Sequence, residues 1–411
     1  MDARNEPGPP HFLHPAGLTP LDVAAGGMLG TEPRDPLPHL AREATFESVF
    51  EAMIRPALES SPCLVSFSGG RDSSWVLAGT TLMARRLGLP DPVPVTLRLT
   101  KVPEAVEYEW QEEVVRFLEL KDWERIDADE DLELVGPVAE TVMRRHGHVF
   151  PANAYMLQPM LERARGGTLV VAQGGEEMYI YWRWAPLVDV LAGRRRPTRE
   201  TVKLAAMALA PVGLRRAMAL KAAPPAPFPW LREDAAREIS REFAGEVGTE
   251  PVRYDRALRS LLRHRCMGGT ERSIHAMADG AGCAAIMPVL DRAMLAMWAR
   301  EGGWKGWGDR TTTMRALAGD LLPDHVLARR DKARFNQVFF GAHTRAFAER
   351  WSGEGVDPSL VDVDVLRRTW LGDEHDWRTA LLMHAAWLHD ELQELPDERS
   401  THGQPERVAT A

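Results

Sequence analysis

The sequence predicts an α/β protein: a parallel sheet with helices on both faces, joined to a C-terminal region that is mainly helical. Three observations carry this expectation. Short apolar runs alternate with helix-length amphipathic stretches through the first part of the chain. The first of these runs passes through a Gly-Gly turn straight into a helix. From about residue 189 the pattern becomes almost wholly helical.

In chain order, residues 1–18 are rich in Pro, Gly and His without periodicity and are expected to form a loose tail. Residues 46–58 have helical periodicity, 63–67 read as a short buried strand, and 73–87 as a second helix. Pro90, Pro92 and Pro94 punctuate the chain before a strand at 95–99, with a helix at 107–120 and a later strand at 168–172. The α/β part is placed at 19–188. The helical part is placed at 189–395, interrupted by a Pro-rich linker at 222–229 and carrying amphipathic stretches at 233–243, 256–265 and 378–392. Residues 396–411 are expected to be a second loose tail.

With 411 residues, 45% hydrophobic and 27% charged, the chain can bury a sizeable core. Its net charge of −9 gives no general electrostatic reason to bind nucleic acid or an acidic membrane surface. Cys63, Cys266 and Cys283 are widely spaced and form no CxxC or Cys/His cluster, which argues against a zinc or disulfide framework. No apolar signal region follows Met1, and nowhere do 18 apolar residues run uninterrupted, so a soluble, cytoplasmic protein is expected.

The chemistry-bearing segment is Ser68-Gly69-Gly70-Arg71-Asp72-Ser73-Ser74, set between the strand ending near Ser66 and a helix. Two glycines let the backbone approach a pyrophosphate, serine hydroxyls donate, and the helix N-terminus offers N–H groups and a positive dipole end. Asp72 sits where a Mg²⁺ bridging phosphate oxygens needs a hard oxygen ligand. Ser-Gly-Gly alone is more often an ordinary turn, and Asp-Ser-Ser a helix cap; seven such residues between a buried strand and a helix favour a binding site. No GK[ST] follows and GxGxxG is absent, so the loop is neither a Walker A loop nor a dinucleotide fingerprint. His146 and His148 around Gly147, and the run Arg194-Arg195-Arg196 with Arg199, are expected to be locally bonded or solvated.

SGGRDSS resembles the SGGxDSS signature of the PP-loop ATP-pyrophosphatases. These enzymes cleave ATP between its α- and β-phosphates and transfer the AMP part to a substrate oxygen. The resemblance implies the adenine nucleotide alpha-hydrolase-like fold and ATP with Mg²⁺ as cofactors. It places phosphate binding on Ser66, Ser68, Gly69, Gly70, Asp72, Ser73, Ser74 and Gly174. Gly174-Gly175-Glu176-Glu177-Met178-Tyr179 resembles the G-[AS]-D-E-[LV]-F segment of asparagine synthetases, which makes Glu176 a second metal ligand beside Asp72. Met287-Pro288-Val289-Leu290-Asp291 resembles V-P-F-L-D of the same family. The stretch from Leu322-Pro323-Asp324 to Lys332-Ala333-Arg334-Phe335 resembles L-P-x-x-[IV]-x-x-R-x-K-x-x-F, with a slip of one residue around the arginines. The last block implies that Lys332 contacts the phosphates and stabilises charge as a catalytic residue. The matched blocks run in family order over roughly residues 45 to 345.

Departures shape the expected function. Where asparagine synthetases carry Glu-x-Arg before V-P-F-L-D, this chain has Ala284 and Ile286, which disfavours an aspartate-plus-ammonia site. No glutaminase half is expected, since Asp2 follows Met1 and no nucleophilic cysteine opens the chain. The resemblance therefore implies a glutaminase-free, AMP-forming ligase, related in chemistry to β-lactam synthetases and lasso-peptide cyclases. Its expected partners are a small-molecule or peptide carboxylate and an amine or ammonia, in specialised metabolite or peptide biosynthesis. A partner protein or a homo-oligomer is a further expectation, while nucleic acid and membrane are not expected. Two other readings stand beside it: a non-catalytic, degenerate asparagine synthetase-like partner or scaffold, and a tRNA-modifying enzyme. The acidic charge and the absence of cysteine pairs disfavour the second of these.

Overall fold

The structure is a computed structural model that describes residues 15–99, 107–128, 130–175, 182–222, 228–329, 336–373 and 375–394. Five strands form one sheet: β1 (Cys63–Ser66), β2 (Val93–Arg98), β3 (Glu124–Asp127), β4 (Thr168–Val170) and β5 (Ala284–Ile286). Their order is β3-β2-β1-β4-β5 and every pairing is parallel. In this order the direction of strand addition reverses between β1 and β4. Open sheets of this type bind ligands beyond the carboxyl ends of the strands at such a reversal.

The expected elements of the first part appear close to where periodicity placed them. Helix α1 (Pro20–Ala25) is followed by α2 (Phe46–Leu58), α3 (Arg71–Leu87) and α4 (Tyr108–Phe117). Reciprocal bonds between Thr45 and Ser48 cap α2, with Ser48 N–H donating to Thr45 Oγ1 at 3.1 Å and Thr45 N–H to Ser48 Oγ at 2.9 Å. The chain is anchored earlier than residue 19: Arg272 donates to the Pro15 and Ala16 carbonyls, each at 3.0 Å, and Ala16 is fully buried. The stretch expected at 256–265 is not one helix. Tyr254–Leu261 ends before His264, which opens a separate helix, Arg265–Ala281.

Alternation along the strands divides the interior into two cores. Leu64, Leu169 and Val171 enter one, while Val65, Phe67 and Val170 enter the other, as a two-residue side-chain period requires. The register agrees, with Leu64 opposite Leu169 and Val65 opposite Val170. Each core draws helices from both sides of residue 188: Phe50 and Val76 share one with Trp298 and Leu327, and Val142 and Met160 share the other with Phe347 and Trp387. The C-terminal helices therefore cover both faces of the sheet. Among the described residues, no helix is long and apolar enough to cross a membrane.

In the core that holds Val142 and Trp387, His384 is fully buried, with its ring 5.8 Å from Tyr155 in an edge-on contact. Burial pushes its pKa down to about 4. The native imidazole is thus neutral, and the unfolded chain takes up the proton first as pH falls below the ordinary value of 6.5. Stability should drop by about 3 kcal/mol between that pH and the native pKa from this group alone, with no further loss below it. Thermal melts of the protein and of His384→Phe across that range test this. The variant should show a shallower pH dependence, and equal slopes would refute the assignment.

Candidate functional site

The loop at the carboxyl end of β1 is fixed on both sides. Phe67 N–H donates to the Val95 carbonyl at 2.9 Å, and Thr96 Oγ1 donates to the Phe67 carbonyl at 2.7 Å, so the last residue before the loop is tied to β2. Gly70 then begins α3 in extended conformation without a side-chain cap. Ser68 Oγ and Ser73 Oγ lie 3.1 Å apart, and Ser73 Oγ donates to the Gly70 carbonyl at 3.1 Å. Ser74 is fully buried, and its hydroxyl makes no hydrogen bond among the described residues.

Two side chains from outside the loop set its peptide orientation. Gln111 Nε2 donates to the Ser68 carbonyl at 3.0 Å, and Arg329 Nη1 donates to the Gly69 carbonyl at 3.1 Å. In a trans peptide the N–H points opposite to the C=O, so turning these carbonyls inward turns the N–H groups of Gly69 and Gly70 away from the clamp. The Gly70 N–H meets Ser68 Oγ at a long 3.3 Å, a contact that a stronger acceptor would replace. Gly69 adopts φ +83°, and a Cβ there would stand 2.8 Å from Gln111 Cγ. Only glycine fits both constraints without displacement.

Arg329 is itself held. Its Nη2 donates to Glu107 Oε1 at 2.6 Å, its guanidinium lies 4.7 Å from the Trp110 ring centre, and the Arg329 and Glu107 side chains are 6% and 7% exposed. The short helix Asp324–Ala328 delivers Arg329, with Val326 and Leu327 buried in the core beside α3. Arg71 Nη1 reaches Thr311 Oγ1 at 3.3 Å, and Asp72 is ion-paired with Arg310.

The β4 side completes the site. Gly174 has φ +106°, and a Cβ on it would lie 2.3 Å from Leu290 Cδ2; a Cβ on Gly175 would lie 2.1 Å from Asp72 Oδ2. The chain after β4 thus passes directly against the Asp72 carboxylate and against Leu290. Asp291 of the same block accepts from the N–H groups of Ala293 and Met294 at 2.8 and 3.0 Å, so its carboxylate caps the helix Arg292–Gly302.

Of the residues singled out in the sequence, Ser66, Ser68, Gly69, Gly70, Asp72, Ser73, Ser74 and Gly174 come together at the ends of β1 and β4. Glu176 and Lys332 lie outside the described residues. Among the described residues, no group of three or more His, Cys, Asp or Glu side chains gathers as a metal site. The sequence reading passed over Glu107, Gln111, Arg310 and Arg329. Arg329 stood inside a block already singled out, while the other three belong to no motif and are brought in by folding alone. The chain matches no protein-family model, and no curated protein is significantly similar to it. What the fold and the site define is a class: an α/β protein with an all-parallel sheet and a clamped glycine loop at its reversal point.

Arg329→Ala removes a buried partner of Glu107 and should destabilise the fold by about 3 kcal/mol, measured by urea denaturation. Replacing both residues together, Glu107→Leu with Arg329→Met, should recover much of that loss, whereas Arg329→Lys should not, since an ammonium cannot fork between carboxylate and carbonyl while lying on Trp110. If Arg329→Ala unfolds at the same urea concentration as the parent protein, the clamp has been misjudged.

Proposed function

We propose that the protein is an ATP-dependent carboxylate–amine ligase that adenylates a carboxylate, releases pyrophosphate and passes the acyl group to an amine. The observation that carries this reading is the inward turn of the Ser68 and Gly69 carbonyls onto Gln111 and Arg329. It leaves amide N–H groups, serine hydroxyls and the start of α3 on one side, the chemistry that suits phosphate oxygens. The hydroxyl of buried Ser74, without a hydrogen bond among the described residues, is a further donor on this side. Arg71 and Arg310 stand beside the loop, Arg310 in an ion pair with Asp72.

Asp72 and Glu176 are the carboxylates that would hold Mg²⁺, which when bound neutralises phosphate charge and makes the α-phosphorus more electrophilic. Arg310 balances Asp72 in the ion pair, a role a metal would take over. A substrate carboxylate oxygen bonds to the α-phosphorus as the bond to pyrophosphate breaks. The amine nitrogen then bonds to the acyl carbon, AMP leaves, and the nitrogen gives up a proton. Lys332 follows Arg329 by three residues in the sequence, and the resemblance of its block supports a phosphate-contacting role for its ammonium. Ala284 and Ile286 put no charge on β5, which favours a carboxylate and amine other than aspartate and ammonia, in peptide or specialised metabolite biosynthesis.

One observation favours a second reading, a non-catalytic relative acting as a partner or scaffold: the Asp72 carboxylate is already engaged by Arg310. ATP–pyrophosphate exchange against a panel of amino acids and peptides separates the two. Exchange should appear with at least one carboxylate, and Asp72→Ala should abolish Mg²⁺-dependent ATP binding while the fold persists. Lys332→Ala should lower turnover by about 10²-fold or more with a smaller effect on ATP binding, and arginine there should not fully restore it. Full turnover in Lys332→Ala, or unchanged ATP binding in Asp72→Ala, would sink the ligase reading.

A further inference from the structure

A cavity of about 600 Å³, whose lining does not include the glycine loop, lies between the end of helix Glu233–Thr249, helix Tyr254–Leu261 and the start of helix Arg265–Ala281. Its volume is that of a small-molecule site. Trp182, Phe243, Tyr254 and Leu258 supply aromatic and aliphatic walls, and the charged groups on it are Arg183, Glu246 and Glu250. Phe243 is 47% exposed and carries the Arg183 guanidinium over its ring.

The charges are unequally satisfied. Glu246 Oε1 accepts from the Gly30 N–H at 2.6 Å. Glu250 Oε1 accepts from the Arg183 backbone N–H at 3.0 Å, but its Oε2 lies 3.4 Å from Arg183 Nε, a long single contact where a guanidinium can offer two short ones. Arg183 lies 5.9 Å from the Phe243 ring centre. Burial pushes the Glu250 pKa up although Arg183 and Arg215 pull it down, so the ionised carboxylate gains from any further cation. Among the described residues Glu246 and Glu250 line the cavity beside Arg183, Arg215 acts on Glu250 from outside the lining, and the aromatic rings beside them add faces that attract cations.

We propose that this cavity binds a primary ammonium carried on an aromatic or branched aliphatic body, with the ammonium on Glu250 and the body against Phe243, Tyr254 and Leu258. The cavity wall connects to the glycine loop through a short piece of chain. A Cβ on Gly306 would stand 3.0 Å from Tyr254 and 3.2 Å from Trp182, and Arg310, four residues on, is paired with Asp72. Four residues span at most about 14 Å. Resting on the ligase reading, the bound ammonium compound is the amine substrate; the binding itself does not depend on that reading.

The test is calorimetric titration of the full chain, without nucleotide, with 2-phenylethylamine, 2-phenylethanol and 3-phenylpropionate. The amine should bind saturably and about tenfold more tightly than the alcohol or the acid, the scale of one hydrogen bond to a charged group. Glu250→Gln should erase that preference. Ala257→Trp, which fills the cavity and leaves Glu250 in place, should remove binding of the amine, and it keeps the test decisive if the Glu250 variant does not fold. Equal affinity for alcohol and amine, stronger binding of the acid, or no saturable binding of the amine up to roughly 10 mM would overturn the site. Amine binding that is intact in a protein showing no AMP formation would uphold the site and overturn only its assignment to the substrate.

Discussion

A single guanidinium buried beneath the glycine loop governs the carboxyl edge of the sheet. Arg329 arrives from the C-terminal part of the chain, yet it bonds to the Gly69 carbonyl and to Glu107 at the start of α4. Taking such a group out of water costs several kcal/mol, and the cost is offset only when its donors and its carboxylate partner are matched together. Three segments far apart in sequence must therefore close on one another before any of them is correctly placed. The loop's peptide orientation is a property of the finished fold, not of the local glycine-rich sequence.

The sheet supplies the setting. Since β1 and β4 are neighbours at the reversal of strand order, the chain leaves both at the same edge, and the crevice between the departing segments is unavoidable. Asp72 sits on the first turn of α3 and Gly175 comes off β4, and the two approach so closely that a methyl group could not stand between them. The asparagine synthetase segment that this stretch resembles carries Ala or Ser at that place. Glycine here lets the Asp72 carboxylate lie against the strand end, where Arg310 also meets it.

Legibility in the sequence followed burial. Helix Phe46–Leu58 and strands Cys63–Ser66 and Thr168–Val170 were readable because their apolar residues recur at the helical period or run unbroken through the centre of the sheet. The two edge strands were not. Glu124-Arg125-Ile126-Asp127 exposes Arg125 and Asp127 as an edge requires, so its composition looks like a loop, and Ala284-Ala285-Ile286 is three residues long and alanine-rich, like a helix end. At the site, the loop was legible because its glycines and serines are contiguous. Glu107, Gln111 and Arg310 were not, since a single polar residue looks the same in sequence whether it faces water, a peptide carbonyl 43 residues away or a charged partner more than 200 residues away. The cavity was hidden for a related reason: Trp182, Phe243 and Tyr254 stand on separate segments, and only the fold brings them together with space between them.

The Asp72–Arg310 pair can be weighed against the rest of the loop on physical grounds. By itself the pair satisfies both groups and asks for no ligand. The loop around it does not share that self-sufficiency. Among the described residues the Gly70 N–H has only a long contact to a serine hydroxyl, Ser74 Oγ is buried without a hydrogen bond, and α3 starts without a side-chain cap. These are unmet donors that phosphate oxygens would satisfy. Unmet donors scattered over a molecule are imperfections of folding; gathered on one loop and turned outward by a buried clamp, they are the groups that the proposed phosphate binding would use. That asymmetry is what supports the proposed nucleotide use against the reading of a scaffold that has merely kept its shape.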